Sequence, residues 1–160
     1  MPLLSQDNLH KSYIIFLVFY LLFYIGIFLA PFMMNINPDI GLLIYAIYKP
    51  ICHQLPERSF FIFGHKMAVC ARCFGIYTGV LFSSIVYPIV KRLDDFNIPD
   101  KKYLILSLLP MAIDGGTQLI GLRESFNILR FITGFLAGSV VVFYIYPIFL
   151  KILNKKIMRK

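Results

Sequence analysis

A chain of 160 residues is one domain by length, yet 59% of it is hydrophobic and only 15% charged, too little polar surface to cover a water-soluble fold. The net charge of +8 sits in the loops that bracket apolar runs and in the tail, not in a patch. That distribution excludes nucleic acid as the partner and makes the lipid bilayer the solvent.

The first apolar run, 13–34, exceeds the roughly 7 to 15 residues of a signal-peptide core and leads into "PFMMNINPD", which has no small-x-small cleavage pattern; it reads as a retained first span. Two shorter apolar pieces follow, "IGLLIYAIY" at 40–48 and "FFIF" at 60–63, both too short to cross and therefore interfacial or re-entrant. Three further runs, 73–90, 103–122 and 131–150, are long enough for spans. The expected fold is all-α: a polytopic integral membrane bundle of four transmembrane helices with a structured extracytoplasmic or re-entrant loop over 35–69.

Lys11, Lys91, Arg92, Lys101, Lys102, Lys151, Lys155, Lys156, Arg159 and Lys160 fall on one side of such a bundle. Basic residues are retained in the cytoplasm, so both termini are expected there and loop 35–69 outside. Gly75 and Gly79 in the second span, and Gly134 and Gly138 in the fourth, are spaced one turn apart. Small residues at that spacing let helices approach closely, within one chain or, as the minority reading, in a homo-oligomer.

Chemistry concentrates in "CHQLPERSFFIFGHKMAVCARC". Cys70 and Cys73 form a C-x-x-C pair where the second span begins, with Cys52 and His53 upstream and His65 between them. Thiolate and imidazole at that spacing suit tetrahedral zinc, held by Cys52, Cys70, Cys73 and either histidine, His53 being the one adopted. The same thiols on an oxidising face also suit a structural disulfide or a redox pair. In "HQLPERSF", Pro56 starts a turn with Glu57 and Arg58 at its beginning.

The second constellation is "MAIDGGTQLIGLRESFNILRFITG". Asp114 lies well inside the third span, where a carboxylate is costly and needs a partner; Arg130 and Arg72 are the candidates, with Gln118 one turn further out. A buried ion pair that fixes helix register is the plain reading, and a substrate or proton site the functional one. Arg123 lies in the tight turn that follows.

The two segments together resemble the small membrane proteins of archaea and bacteria grouped as domain of unknown function 2085. The resemblance covers 52–138 and rests on residues such as Cys52, His53, Gln54, Glu57, Arg58, Cys70, Arg72, Cys73, Asp114, Gln118, Arg123, Ser125, Asn127 and Arg130. It implies membrane location and a shared signature, without an activity.

From the residues, the leading expectation is an outward-opening pocket with zinc on the cysteines. Gln118, Arg58, Arg72, Arg123 and Arg130 would bind a lipid-borne or small anionic substrate, and Asp114 and Glu57 would move protons. A small transporter using Asp114, Gln118 and Arg130, a membrane thiol-disulfide oxidoreductase and a structural subunit are the alternatives.

Overall fold

A computed structural model describes residues 6–157; Arg159 and Lys160, assigned above to the inner side, lie outside them. Five helices follow in order: α1 (Gln6–Met33), α2 (Pro38–Tyr48), α3 (Ala71–Val90), α4 (Lys101–Leu119) and α5 (Asn127–Ile157). A short hairpin, β1 (Phe61–Ile62) with β2 (His65–Lys66), and a 3-10 turn at Pro56–Arg58 occupy the segment between α2 and α3.

Three helical stretches are long and apolar enough to cross a bilayer: Leu9–Met33, Ala71–Val90 and Asn127–Ile152. α4 is less apolar, because Lys101 and Lys102 open it and Asp114 interrupts it. Of the four expected spans, 13–34, 73–90 and 131–150 fall on these three helices, and 103–122 falls on α4. The segment 40–48 is helical and too short to cross, as expected, whereas "FFIF" supplies a two-residue strand and half of a turn within the loop; the fold is mostly helical. Phe63 and Gly64 both have positive φ, which is what a two-residue hairpin turn of this hand needs. Gly64 takes that conformation without strain, and Phe63 is held there by its ring contact with Phe32 and by the Asn35 side-chain amide, which donates to its carbonyl.

The tightest packing joins α3 to α5. A Cβ on Gly134 would strike the carbonyl oxygen of Arg72, and one on Gly138 that of Ile76; Gly75 and Gly79 meet the carbonyls of Phe131 and Phe135 in return. The glycine stripes thus serve close approach within one chain, backbone against backbone. The pairings advance together along both helices, so α3 and α5 run parallel. α1 runs antiparallel to α3: Tyr13 Oη donates to the Ser84 carbonyl, Tyr20 Oη to the Tyr77 carbonyl, and the Ala68 N–H reaches the Ile27 carbonyl. α4 packs on α5 in the opposite direction, its N-cap Asp100 receiving Tyr144 Oη and its far end bonded to the start of α3 through Asp114.

Large apolar side chains such as Ile14, Phe19, Leu22, Ile85, Ile89, Ile105, Leu106, Ile132 and Ile145 point outward all around this bundle. In water such a surface would be untenable; against lipid tails it is the expected solvent face. The segment between α2 and α3 folds back onto one end of α1. There Ile27 and Ala30 are buried with Tyr48, Cys52, Met67, Ala68 and Val69, and the Tyr48 hydroxyl donates to the Phe23 carbonyl.

Candidate metal centre and arginine cluster

Cys52 leaves the end of α2 with its N–H on the Tyr48 carbonyl, which drops its side chain into the buried cluster. Cys70 is the N-cap of α3, and Cys73 lies within its first turn, three residues on. The three thiols are free, and their sulfur atoms lie within 4.8 Å of one another. Sulfurs around a tetrahedral zinc are about 3.8 Å apart, given Zn–S bonds of about 2.3 Å, so only a small contraction would close this group on an ion.

Donors around Cys52 favour its anion. The Cys70 N–H lies 3.1 Å and the Gln54 N–H 3.4 Å from its Sγ. The thiols of Cys70 and Cys73, together with those two backbone groups, hold the Cys52 thiol far below the ordinary thiol range. The Gln54 N–H is aimed by a left-handed backbone, φ 54°, an uncommon state for a glutamine. Two contacts keep it there: Gln54 Nε2 donates to the Tyr45 carbonyl at 2.8 Å, and Lys66 Nζ donates to the Gln54 carbonyl at 2.6 Å. Tyr45 Oη in turn donates to the Lys66 carbonyl. Tyr45, Gln54 and Lys66 thus brace the loop that presents Cys52. The sequence marks Gln54 only as part of the family signature and gives Tyr45 and Lys66 no role, because only the hairpin brings Lys66 back onto the turn.

Beside the sulfurs opens a cavity of about 290 Å³ lined by all three cysteines and by His53, Arg58, Arg72, Gln118 and Arg130. Most of the predicted site therefore gathers at one place. Neither His53 nor His65 joins the three sulfurs as a ligand-distance group: His53 lines the cavity, and His65 sits in β2 opposite Ile62. Glu57 is exposed in the 3-10 turn and does not line the cavity. Its position follows from Pro56, which opens a turn whose first residues face outward.

Asp114 is the main departure from expectation. It is 2% exposed, and both of its oxygens are occupied, one by Arg72 Nη2 at 2.5 Å and the other by Arg123 Nη2 at 2.8 Å. Arg130, the first expected partner, instead donates from Nη1 to Asn127 Oδ1 at 2.8 Å. Both oxygens of this carboxylate are held in ion pairs to guanidiniums, a geometry that suits helix register better than acid-base work. Arg123 is fixed further by Nε, which donates to Thr117 Oγ1 at 3.1 Å. It comes within reach because α4 stops abruptly: Gly121 has φ 74°, and the Leu122 N–H returns to the Thr117 carbonyl. Gly115 leaves room for the Arg72 guanidinium, which lies against α4 where a Cβ would be 3.2 Å from Nη1. Asp114 and Arg123 line a separate, mostly apolar cavity of about 360 Å³ with Leu106, Leu109 and Leu129. The single pocket expected from the sequence is thus divided, with the Arg72–Asp114 pair between the two parts.

The chain has relatives among known proteins. An uncharacterised protein of Methanocaldococcus jannaschii is 62% identical over 152 residues, covering 91% of this chain and 97% of that protein. An uncharacterised protein of Methanothermobacter thermautotrophicus is 44% identical over 97 residues, covering 57% and 80%. No solved structure matches the chain. The family described as predicted membrane protein (DUF2085) matches residues 52–144, which runs from the first cysteine of the cluster into the middle of α5. With its sulfur cluster, its arginines and the glycine-packed α3–α5 pair all inside that match, the chain belongs to the DUF2085 family of predicted membrane proteins.

Proposed function

We propose that the chain is a four-span integral membrane protein that holds zinc on Cys52, Cys70 and Cys73 and leaves the fourth position of the ion open to an anionic substrate, small or lipid-borne. The observation that carries this reading is the three free sulfurs within 4.8 Å, one of them accepting two backbone N–H bonds, beside a cavity rich in arginine. Three protein ligands with one open position are the arrangement of catalytic rather than closed structural zinc. Bound there, the metal would polarise a substrate oxygen or lower the pKa of a water. Arg72, Arg130 and Gln118 would orient the substrate, and His53, the imidazole in the cavity, takes the proton-carrying role for which Asp114 and Glu57 are badly placed.

The fourth span is α4. Parallel α3 and α5 cannot both cross a bilayer unless the chain returns between them, and α4, at 19 residues or about 28 Å, is the return. Its buried acid is neutralised by arginine, which makes the crossing tolerable. Both ends of the chain then lie on the side that carries the lysines of 91–102, the cytoplasmic side by the distribution of basic residues.

Transport fits less well. Ser83, Ser84 and Ser107, the hydroxyls that would continue a polar path, all donate to carbonyls of their own helices. A thiol oxidoreductase would cycle Cys70 and Cys73 instead of holding metal.

Metal analysis of protein purified without chelators decides between these readings. Close to one zinc per chain, lost in Cys70→Ser, is the expected result. A metal-free wild type, folded and with alkylatable thiols, would overturn the metal centre.

A further inference from the structure

We infer that Arg58, Arg72 and Arg130 form a receptor for a phosphate monoester dianion, either a lipid head group or a free phosphate; this deepens the substrate side of the reading above. Arg130 supplies the strongest reason. It is only 6% exposed, yet it forms no ion pair among the described residues. Among the described residues its one side-chain bond is to the neutral Asn127 amide oxygen, and its Nε is buried without a partner. A buried guanidinium with an idle donor and no counter-charge is a costly state for an apoprotein unless an anion completes it.

Two neighbours share the deficit. Arg72 also has a buried Nε without a partner, and the carboxylate it touches is divided with Arg123. Arg58 reaches the same cavity from the 3-10 turn and likewise forms no ion pair among the described residues. Even with the Cys52 thiolate and the Asp114 carboxylate counted against Arg58, Arg72, Arg123 and Arg130, positive charge exceeds negative at this wall.

The chemistry of the donors selects the anion. Guanidinium forks match phosphate oxygens with paired N–H bonds, and a carboxylate has only two oxygens to share among three arginines. A phosphate monoester carries close to two negative charges at neutral pH, enough to answer Arg58 and Arg130 together. A cavity of about 290 Å³ admits a phosphoryl group with a small substituent but not a whole phospholipid, so a lipid would enter head first and leave its tails in the bilayer.

The test uses the full chain in phosphatidylcholine nanodiscs. Inorganic phosphate is titrated calorimetrically, and retention of phosphatidic acid over phosphatidylglycerol is read by native mass spectrometry. Binding of phosphate alone assigns a soluble substrate, and selective retention of phosphatidic acid alone assigns a lipid head group; either supports the receptor if Arg130→Gln weakens it about ten- to a hundredfold. Arg58→Gln, on the exposed turn, provides a second variant that leaves the bundle untouched and is expected to weaken binding as well. Binding of neither probe, or binding unchanged in both variants, overturns the inference. Repeating the titration with Cys70→Ser separates the two readings: phosphate affinity that survives there leaves the arginine receptor standing whatever the zinc content of the wild type shows, and affinity lost there while the wild type holds zinc assigns the phosphate to the ion and overturns the receptor.

Discussion

Replacing Asp114 by asparagine removes the charge that both Arg72 and Arg123 lean on while keeping the side-chain shape. Each charge-assisted bond is worth about 1.5 to 3 kcal/mol. The two are not equal: Arg123 is 39% exposed and can rehydrate, which brings its share nearer the ~1 kcal/mol of a surface pair, whereas Arg72 is 25% exposed and meets Asp114 in a nearly dry contact. Asparagine keeps one weak acceptor, recovering about 1 kcal/mol. The expected loss is about 1.5 to 3 kcal/mol, above the loss of about 1 kcal/mol expected for Arg123→Gln. Because the chain has no tryptophan, unfolding in mixed micelles with increasing SDS is best followed by far-ultraviolet circular dichroism. If Asp114→Asn costs no more than Arg123→Gln, the carboxylate is not the clamp described above.

Gly134→Ala should destabilise by about 1 to 3 kcal/mol, because its Cβ would strike the Arg72 carbonyl and push α3 from α5, while Gly116→Ala, with nothing within 4 Å, should be neutral or slightly stabilising in the same denaturation assay. Gln54→Ala loses the anchor to Tyr45 that aims an N–H at Cys52, so zinc affinity measured by chelator competition should fall about ten- to a hundredfold with no metal ligand touched. Single cysteines introduced as Asn97→Cys and Leu122→Cys in a background lacking the native thiols should react with an impermeant maleimide from opposite sides of the membrane; labelling from one side would remove α4 as a span.

The membrane solvent, the long helices and the glycine contact were legible because each rests on a local pattern: apolar runs of sufficient length, and small residues one turn apart. The cysteine group was legible for a similar reason, since C-x-x-C at a helix start places two sulfurs together whatever the rest does. Partner choice was not. Nothing in the spacing of Asp114, Arg72, Arg123 and Arg130 distinguishes which arginine reaches the acid; the Gly121 stop after α4 and the packing of Gly134 on Arg72 decide it. The hairpin was missed because Phe63 occupies a left-handed position where asparagine or aspartate is the usual signal, and "FFIF" looks like a membrane contact. His53, expected as a ligand, lines the cavity beside the three sulfurs without joining them.

The most direct test of the metal centre is X-ray absorption at the zinc edge of the purified, full-length protein. Three sulfur neighbours at about 2.3 Å with one lighter oxygen or nitrogen neighbour is the predicted shell. A shell made only of light atoms, or one unchanged by Cys52→Ser, would contradict it.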